Sequence, residues 1–361
     1  MFRDFLKINH GLSNAFSNTV AIDLGSYQTR LMLSTQTQPV VVPSYLVQNK
    51  EADRLLSIGQ TALEIVGRSG AKLEIIRPIR EGNFTDYQYA KVFLEHCFSL
   101  LKSKGQKRGV SLPQTVYFFV SSQMNEVQHR ALLRIAQEIG IAHTHLLVRP
   151  LIAALTKHAQ PSLQAIQPLQ LLIDCGYEST IFSVLQFGKV LRHHQAWYGG
   201  KDLTKAMIRF LRTAHHLEIG SQAAERLKQE CAAVLITTDA LKRKEYFVVV
   251  RGRDVMSGLP KTHRLSAFEF ESLFVQFVQT VMDQLAWVID ELGPELMEEL
   301  ILKGFMVFGG MAIIDQLIST IESQYGTVVF RPAQPDVLYH QGFLLFQQLS
   351  HSEQREFYFS L

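Results

Sequence analysis

The chain has 361 residues, 47% of them hydrophobic and 19% charged, with a formal net charge of +3. That length suffices for two domains with separate cores, and so small a charge gives no footing for nucleic acid as a partner. Cys97, Cys175 and Cys231 have neither metal-ligand nor disulfide-framework spacing, which excludes a disulfide scaffold and fits reduced core thiols in a cytoplasmic protein.

No apolar run approaches the ~18 residues of a membrane span. The first residues carry neither a continuous apolar segment nor a small-residue cleavage site, so no secretory leader is expected. Within 1–12, Phe2, Phe5 and Leu6 fall along one helical stripe and Arg3, Asp4 and Lys7 fall off it. This predicts a short amphipathic helix, lying in a membrane interface or docked on its own domain. Strands are predicted at 19–24, 30–34 and 40–42. Residues 90–102 carry a helical apolar pattern, and 102–108 form a basic loop broken by glycine. A buried strand at 116–120 and a helix at 126–140, ended by glycine, follow. The pattern then repeats, with strands at 169–174, 180–187 and 190–197 and helices at 201–215 and 217–231. A strand at 246–250, a long helix at 268–292 and a strand at 301–308 complete the series. Alternating strands and helices predict an α/β fold with mixed sheets.

Two segments say nearly the same thing. Ala21-Ile22-Asp23-Leu24-Gly25-Ser26-Tyr27-Gln28-Thr29 and Leu172-Ile173-Asp174-Cys175-Gly176-Tyr177-Glu178-Ser179-Thr180 each run from an apolar strand through Asp-x-Gly and back into a strand. The backbone N–H groups of such a turn suit phosphate oxygens, and the carboxylate suits a hydrated Mg²⁺. Two copies predict two similar half-molecules closing on one nucleotide. The pairs His193-His194 and His215-His216 have no carboxylate or cysteine at ligand spacing, so no metal is expected there.

Further segments occur in a fixed order: 76–82, 126–131, Arg149-Pro150 with Ala153-Ala154, Ala224-Glu225-Arg226-Leu227-Lys228, 251–262, and Phe308-Gly309-Gly310-Met311-Ala312. As an ordered set they resemble MreB, the bacterial actin homologue, over about residues 20–346, with 251–262 the most specific stretch. The resemblance implies an actin-like α/β fold of two lobes, each a mixed sheet flanked by helices, in four subdomains around a central nucleotide cleft. Its limits here are 13–43, 78–152 and 333–361 for subdomain IA, 44–77 for IB, 153–196 and 263–332 for IIA, and 197–262 for IIB. It implies ATP or ADP with Mg²⁺. Asp23, Gly25, Ser26, Tyr27 and Thr29 then form the first phosphate loop, and Asp174, Gly176, Tyr177, Glu178, Ser179 and Thr180 the second. Glu225 and Lys228 face ribose and adenine, and Gly309, Gly310 and Met311 lie near the α-phosphate and adenosine. Asp23 and Asp174 hold Mg²⁺ through water. The loop at 102–108, with Val110 and Leu112, sits where the family carries a membrane-contacting loop. Implied partners are further copies in protofilaments, the lipid surface of the inner membrane face, and membrane proteins of a shape or wall-synthesis complex.

Several positions depart from the family pattern. Arg149 stands where a glutamate positions the attacking water, and arginine cannot serve as a base. It suits a phosphate or Glu178. Tyr177 and Glu178 replace glycines where backbone wraps phosphate, Tyr27 and Gln28 replace smaller residues, and Lys201 replaces an aspartate after Gly199-Gly200. Slow or absent hydrolysis is therefore expected, with Ser179 the remaining candidate for a catalytic role. Three readings compete: a filament-forming protein with little turnover, a non-polymerising actin-fold adaptor for a membrane complex, and a small-molecule phosphotransferase using Glu178.

Overall fold

The computed structural model describes residues 19–33, 36, 38–66, 72–80, 83–103, 113–157, 161–235, 245–332 and 335–359. The predicted helix at 1–12, with Phe2, Phe5 and Leu6, and the loop bearing Val110 and Leu112 lie outside the described residues.

Two five-stranded sheets are built to one plan. In the first, the order is His143–Val148, Thr115–Val120, Thr19–Asp23, Gln28–Leu33, Val40–Pro43. In the second it is Val329–Phe330, Phe305–Phe308, Gln170–Cys175, Thr180–Gln186, Lys189–Ala196. Each begins as an antiparallel meander of three strands. Each then gains two parallel strands through helical crossovers. The central strands are buried on both faces, as their unbroken apolar runs Val20-Ala21-Ile22 and Leu171-Leu172-Ile173 require. Asp23 closes its strand beside Arg30 and Phe119, and Asp174 nearly closes its own beside Ile181 and Phe308. The two carboxylates thus occupy equivalent places. Each half also carries a small three-stranded sheet, from strands within 46–76 and within 217–266.

Each sheet has its own core. Phe93, Phe98 and Phe118 centre the first, and Phe182, Phe274 and Phe277 the second. A third core lies between the sheets, where helices Arg149–Lys157 and Pro335–Phe346 pack against Phe119, Leu172, Met306 and Phe308. These helices touch backbone to backbone: a Cβ on Gly342 would stand 2.5 Å from the carbonyl oxygen of Ile152.

Three predicted elements come out differently. Leu300, Ile301 and Leu302 belong to a helix, Pro294–Lys303, begun by proline at its first turn and stopped by Gly304 at φ +80°; the strand is only Phe305–Phe308. Leu217–Glu218 pairs with strand Phe247–Asp254 instead of joining the next helix, which starts at Ser221. The long helix is Glu271–Asp290 after a single 3₁₀ turn, and Ala267–Asp290 is long and apolar enough, by length and composition, to cross a membrane. Its Phe274, Phe277, Val281 and Leu285 are buried in the second core.

Replacing Gly342 with valine places a branched side chain into the Ile152 backbone. Urea unfolding should show a loss of about 2–4 kcal/mol, on the scale of other overpacked sites; an unchanged midpoint would contradict the tight crossing.

Candidate functional site

The C-terminal ends of the two central strands face one another across a cavity of about 300 Å³. The loop after Phe305–Phe308 floors it. Gly309 sits at φ +91°, where a Cβ would meet the Asp174 Oδ1 at 2.5 Å, so only glycine lets this loop close on the strand end. The N–H of Met311 then donates to the Cys175 carbonyl at 2.9 Å. Gly310 has open space around it.

At the cavity's centre stands Arg149, the first residue of helix Arg149–Lys157. Its Nη2 lies 3.0 Å from Asp23 Oδ1 and 3.5 Å from Asp174 Oδ2. The contact to Asp23 Oδ1 is an ion pair without hydrogen-bond alignment. Arg149 Nε donates to the Tyr339 hydroxyl at 3.4 Å, and that hydroxyl donates to Asp174 Oδ2 at 3.2 Å. The guanidinium carbon lies 5.1 Å from the Tyr339 ring centroid. On the far side, Arg30 Nη1 is 3.7 Å from Asp23 Oδ2. Burial opposes the Arg149 charge, but Asp23, Tyr339 and Asp174 hold its pKa well above the ordinary value. Burial also pushes the Asp174 carboxyl up, with Arg149 pulling it back in part, and pushes the Tyr339 hydroxyl well up. A hydrated Mg²⁺ demands a full octahedral oxygen shell at ~2.0–2.1 Å. The space between Asp23 and Asp174 that it would need is filled by the guanidinium, so these residues as placed do not fit the ion expected there.

Side chains from the two Asp-x-Gly turns line the cavity and meet each other. Tyr27 and Tyr177 meet with ring centroids 4.7 Å apart. Arg77 lies over the Tyr45 and Tyr177 rings and donates to their hydroxyls at 2.7 and 3.2 Å. Burial raises the Tyr27 pKa to about 12 and raises those of Tyr45 and Tyr177 as well, so all three hydroxyls are neutral at physiological pH. Glu178, only 7% exposed, receives Lys201 Nζ at 2.8 Å and Arg77 Nη1 at 3.4 Å. Glu178 is therefore not the partner of Arg149, and Tyr177 points into the cleft. Glu178 and Lys201, two of the departures noted in the sequence, thus pair with each other.

Asp23, Gly25, Ser26, Tyr27, Asp174, Gly176, Tyr177, Glu178, Ser179, Glu225, Lys228, Gly309, Gly310 and Met311 all line the cavity. Ser179 accepts a hydrogen bond from Gln195 Nε2 at 3.1 Å. Glu225 and Lys228 hold each other, Nζ to Oε1 at 2.5 Å, inside a wall where Glu225 also accepts from Thr204 at 2.6 Å and Lys228 donates to the Gly200 carbonyl at 3.0 Å. Burial lowers the Lys228 pKa. Thr29 and Thr180 do not line the cavity. Thr29 is fully buried with its hydroxyl 3.0 Å from that of Ser44, which donates to the Gly25 carbonyl at 2.6 Å, so Thr29 braces the first turn from beneath. Thr180 donates to the Tyr198 carbonyl at 2.9 Å. Sequence reasoning missed Tyr339, which sits in an apolar helical run that reads as core, and Gln195, one of several polar residues of an edge strand.

The family model described as MreB/Mbl protein matches residues 17–353. The chain is 25% identical over 308 residues to the cell shape-determining protein Mbl of Bacillus subtilis, covering 84% of this chain and 89% of that protein. It is 24% identical over 324 residues to the cell shape-determining protein MreB of Escherichia coli, covering 89% and 90%. Among solved structures, MreB5 of Spiroplasma citri bound to AMPPNP superposes with a TM-score of 0.78 at 21% identity, covering 91% of this chain and 96% of that one. A MamK double helical filament superposes with a TM-score of 0.65 at 15% identity, covering 92% and 100%.

The two sheets also meet beside the ion pair, where the Ser122 hydroxyl and His193 Nδ1 are 2.9 Å apart. His193 Nε2 is buried without a hydrogen-bond partner. Burial, reinforced by His194, lowers the His193 pKa from 6.5 to about 4. The unfolded chain then takes up a proton below pH 6.5 that the folded chain resists until about pH 4. Stability from this site is intact above pH 6.5 and falls as pH drops toward 4. Between about pH 7 and pH 5, Tm should fall by a few degrees more in the wild type than in His193→Gln, at roughly 2–4 °C per kcal/mol. Parallel Tm–pH curves would refute the assignment.

Proposed function

This chain belongs to the MreB/Mbl family, and we propose that it is a nucleotide-binding, filament-forming bacterial actin that works at the inner face of the membrane in cell shape or intracellular organisation and hydrolyses ATP slowly or not at all. Its fold is actin-like. The observation that carries the reading is the pair of Asp-x-Gly turns, set at equivalent ends of two sheets of one strand order and facing a single cavity. Backbone N–H groups of the turn at Gly25-Ser26, with those of the Gly309-Gly310 loop, offer donors for the phosphates of ATP or ADP; the Gly176 N–H closes its own turn on the Ser179 carbonyl at 2.9 Å. Glu225, Lys228 and Met311 offer a wall for the nucleoside. The four subdomains follow the limits given by the resemblance. Self-assembly is supported by the family and by the likeness to a protein solved as a filament. The membrane contact rests on residues 1–12 and on Val110 and Leu112.

Weak turnover follows from Arg149. It cannot accept a proton, and its charge is committed to Asp23 and Asp174. The second reading, a non-polymerising adaptor, draws on the contacts between the two turns, where Tyr27 meets Tyr177 and Arg77 joins Glu178. A phosphotransferase draws no support, because Glu178 is already held by Lys201 and Arg77.

Sedimentation with ATP should pellet the protein at micromolar concentration, and lipid vesicles should recruit it. A soluble monomer under both conditions would instead favour the adaptor. Phosphate release should be near background and should rise at least about tenfold in Arg149→Glu, up to the ~10²–10⁴ that a positioned base supplies. An unchanged rate in that variant would sink this account of the slow turnover.

A further inference from the structure

We propose that Arg149 is a built-in counter-ion that takes the place of a divalent metal between Asp23 and Asp174, so that this protein binds adenine nucleotide without Mg²⁺. The clause about nucleotide rests on the function proposed above; the clause about the metal does not.

Two carboxylates at equivalent strand ends, Asp23 buried and Asp174 partly so, are costly to keep ionised side by side without positive charge between them. A metal ion is one solution, and this chain contains another. The Nη2 of Arg149 is shared by the two acids at 3.0 and 3.5 Å. Arg30 supplies a second cation to Asp23 at 3.7 Å, and the Tyr339 hydroxyl supplies a proton donor to Asp174 at 3.2 Å. Two carboxylates thus face two guanidinium groups.

The arginine is fixed in place. Pro150, Leu151, Ile152, Ala153, Ala154 and Leu155, which follow it, are all buried. Its side chain lies over the ring of Tyr339, which comes from the helix that crosses its own at Gly342. A dication entering the same space would meet a fixed like charge and would find both carboxylates taken. Guanidinium also suits phosphate oxygens through paired N–H donors. A cleft organised this way keeps its two acids neutralised whether or not a metal arrives with the nucleotide.

The test has a metal arm and a nucleotide arm. In the first, thermal unfolding is followed without nucleotide in EDTA and in millimolar MgCl₂. The wild type and Arg149→Lys should shift by less than about 1 °C. Arg149→Gln, with its two acids unneutralised, should start lower and gain several degrees from Mg²⁺. A wild type that gains as much as Arg149→Gln, or an Arg149→Gln that gains nothing, would overturn the proposal.

The second arm needs no variant. Titration calorimetry of wild type with ADP should give affinities in EDTA and in MgCl₂ within about threefold of each other. A loss of tenfold or more in EDTA, equal to about 1.4 kcal/mol, would overturn it. Absence of ADP binding in both buffers would defeat the nucleotide reading and with it the second clause. The metal arm then decides the first clause on its own.

Discussion

The organisation of this molecule depends on how two facing acids, one buried and one partly so, are neutralised. Asp23 ends its strand and Asp174 stands one residue from the end of the equivalent strand, in two sheets with one strand order, so the repeated plan itself brings like charges face to face. The cost of burying them is met by neighbours, not by solvent. Arg149, Arg30 and Tyr339 converge on them from three different elements. The inter-sheet core of Phe119, Leu172, Phe308 and Phe343 sets the distance at which they meet. Removing one partner would leave an uncompensated charge in a largely buried cleft, which is why the arrangement holds as a unit.

The same logic runs outward to the mouth of the cleft. Read one position at a time, Glu178, Tyr177, Tyr27 and Lys201 each look like damage to a phosphate site. In space they are coupled. Glu178 is matched by Lys201 and Arg77, and the two tyrosines face each other across the gap between the turns. The glutamates and aspartates named here each face a cation belonging to the chain itself. A site neutralised from within makes different demands on a phosphate ligand than one built around free lysines and a metal.

Much of the scaffold was legible in the sequence because it follows from periodicity and punctuation. The helix Glu126–Ile139 announces itself through the Asn125–Gln128 capping box and the left-handed Gly140. The repeated Asp-x-Gly turns announced the duplication. Boundaries failed where a local pattern was ambiguous. Leu300-Ile301-Leu302 is apolar enough for a strand, and the proline six residues earlier decides for a helix. Leu217 is apolar enough for a helix, and pairing with a strand more than thirty residues away decides otherwise. Within the site, Asp23, Gly25, Asp174 and Gly309 were legible from their turns, whereas Tyr339 was not, because one hydroxyl in an apolar helix carries no local signal. The partners of Arg149 and Glu178 were not legible either, since they come from residues remote in the chain.

The helix crossing at Gly342 and Ile152 has a mechanical corollary. Arg149 precedes Ile152 by three residues, and Tyr339 precedes Gly342 by three, so the charged centre sits about one helical turn, ~5 Å, from the point of closest approach. Tyr27 and Tyr177 lie on the turns beyond the strand ends, farther from that point. If the halves rock about the crossing, the lever arm is short at the guanidinium and long at the tyrosines. The entrance can then part by several times the displacement felt at the acids, and the halves can gape for a ligand while the arginine keeps its grip on both.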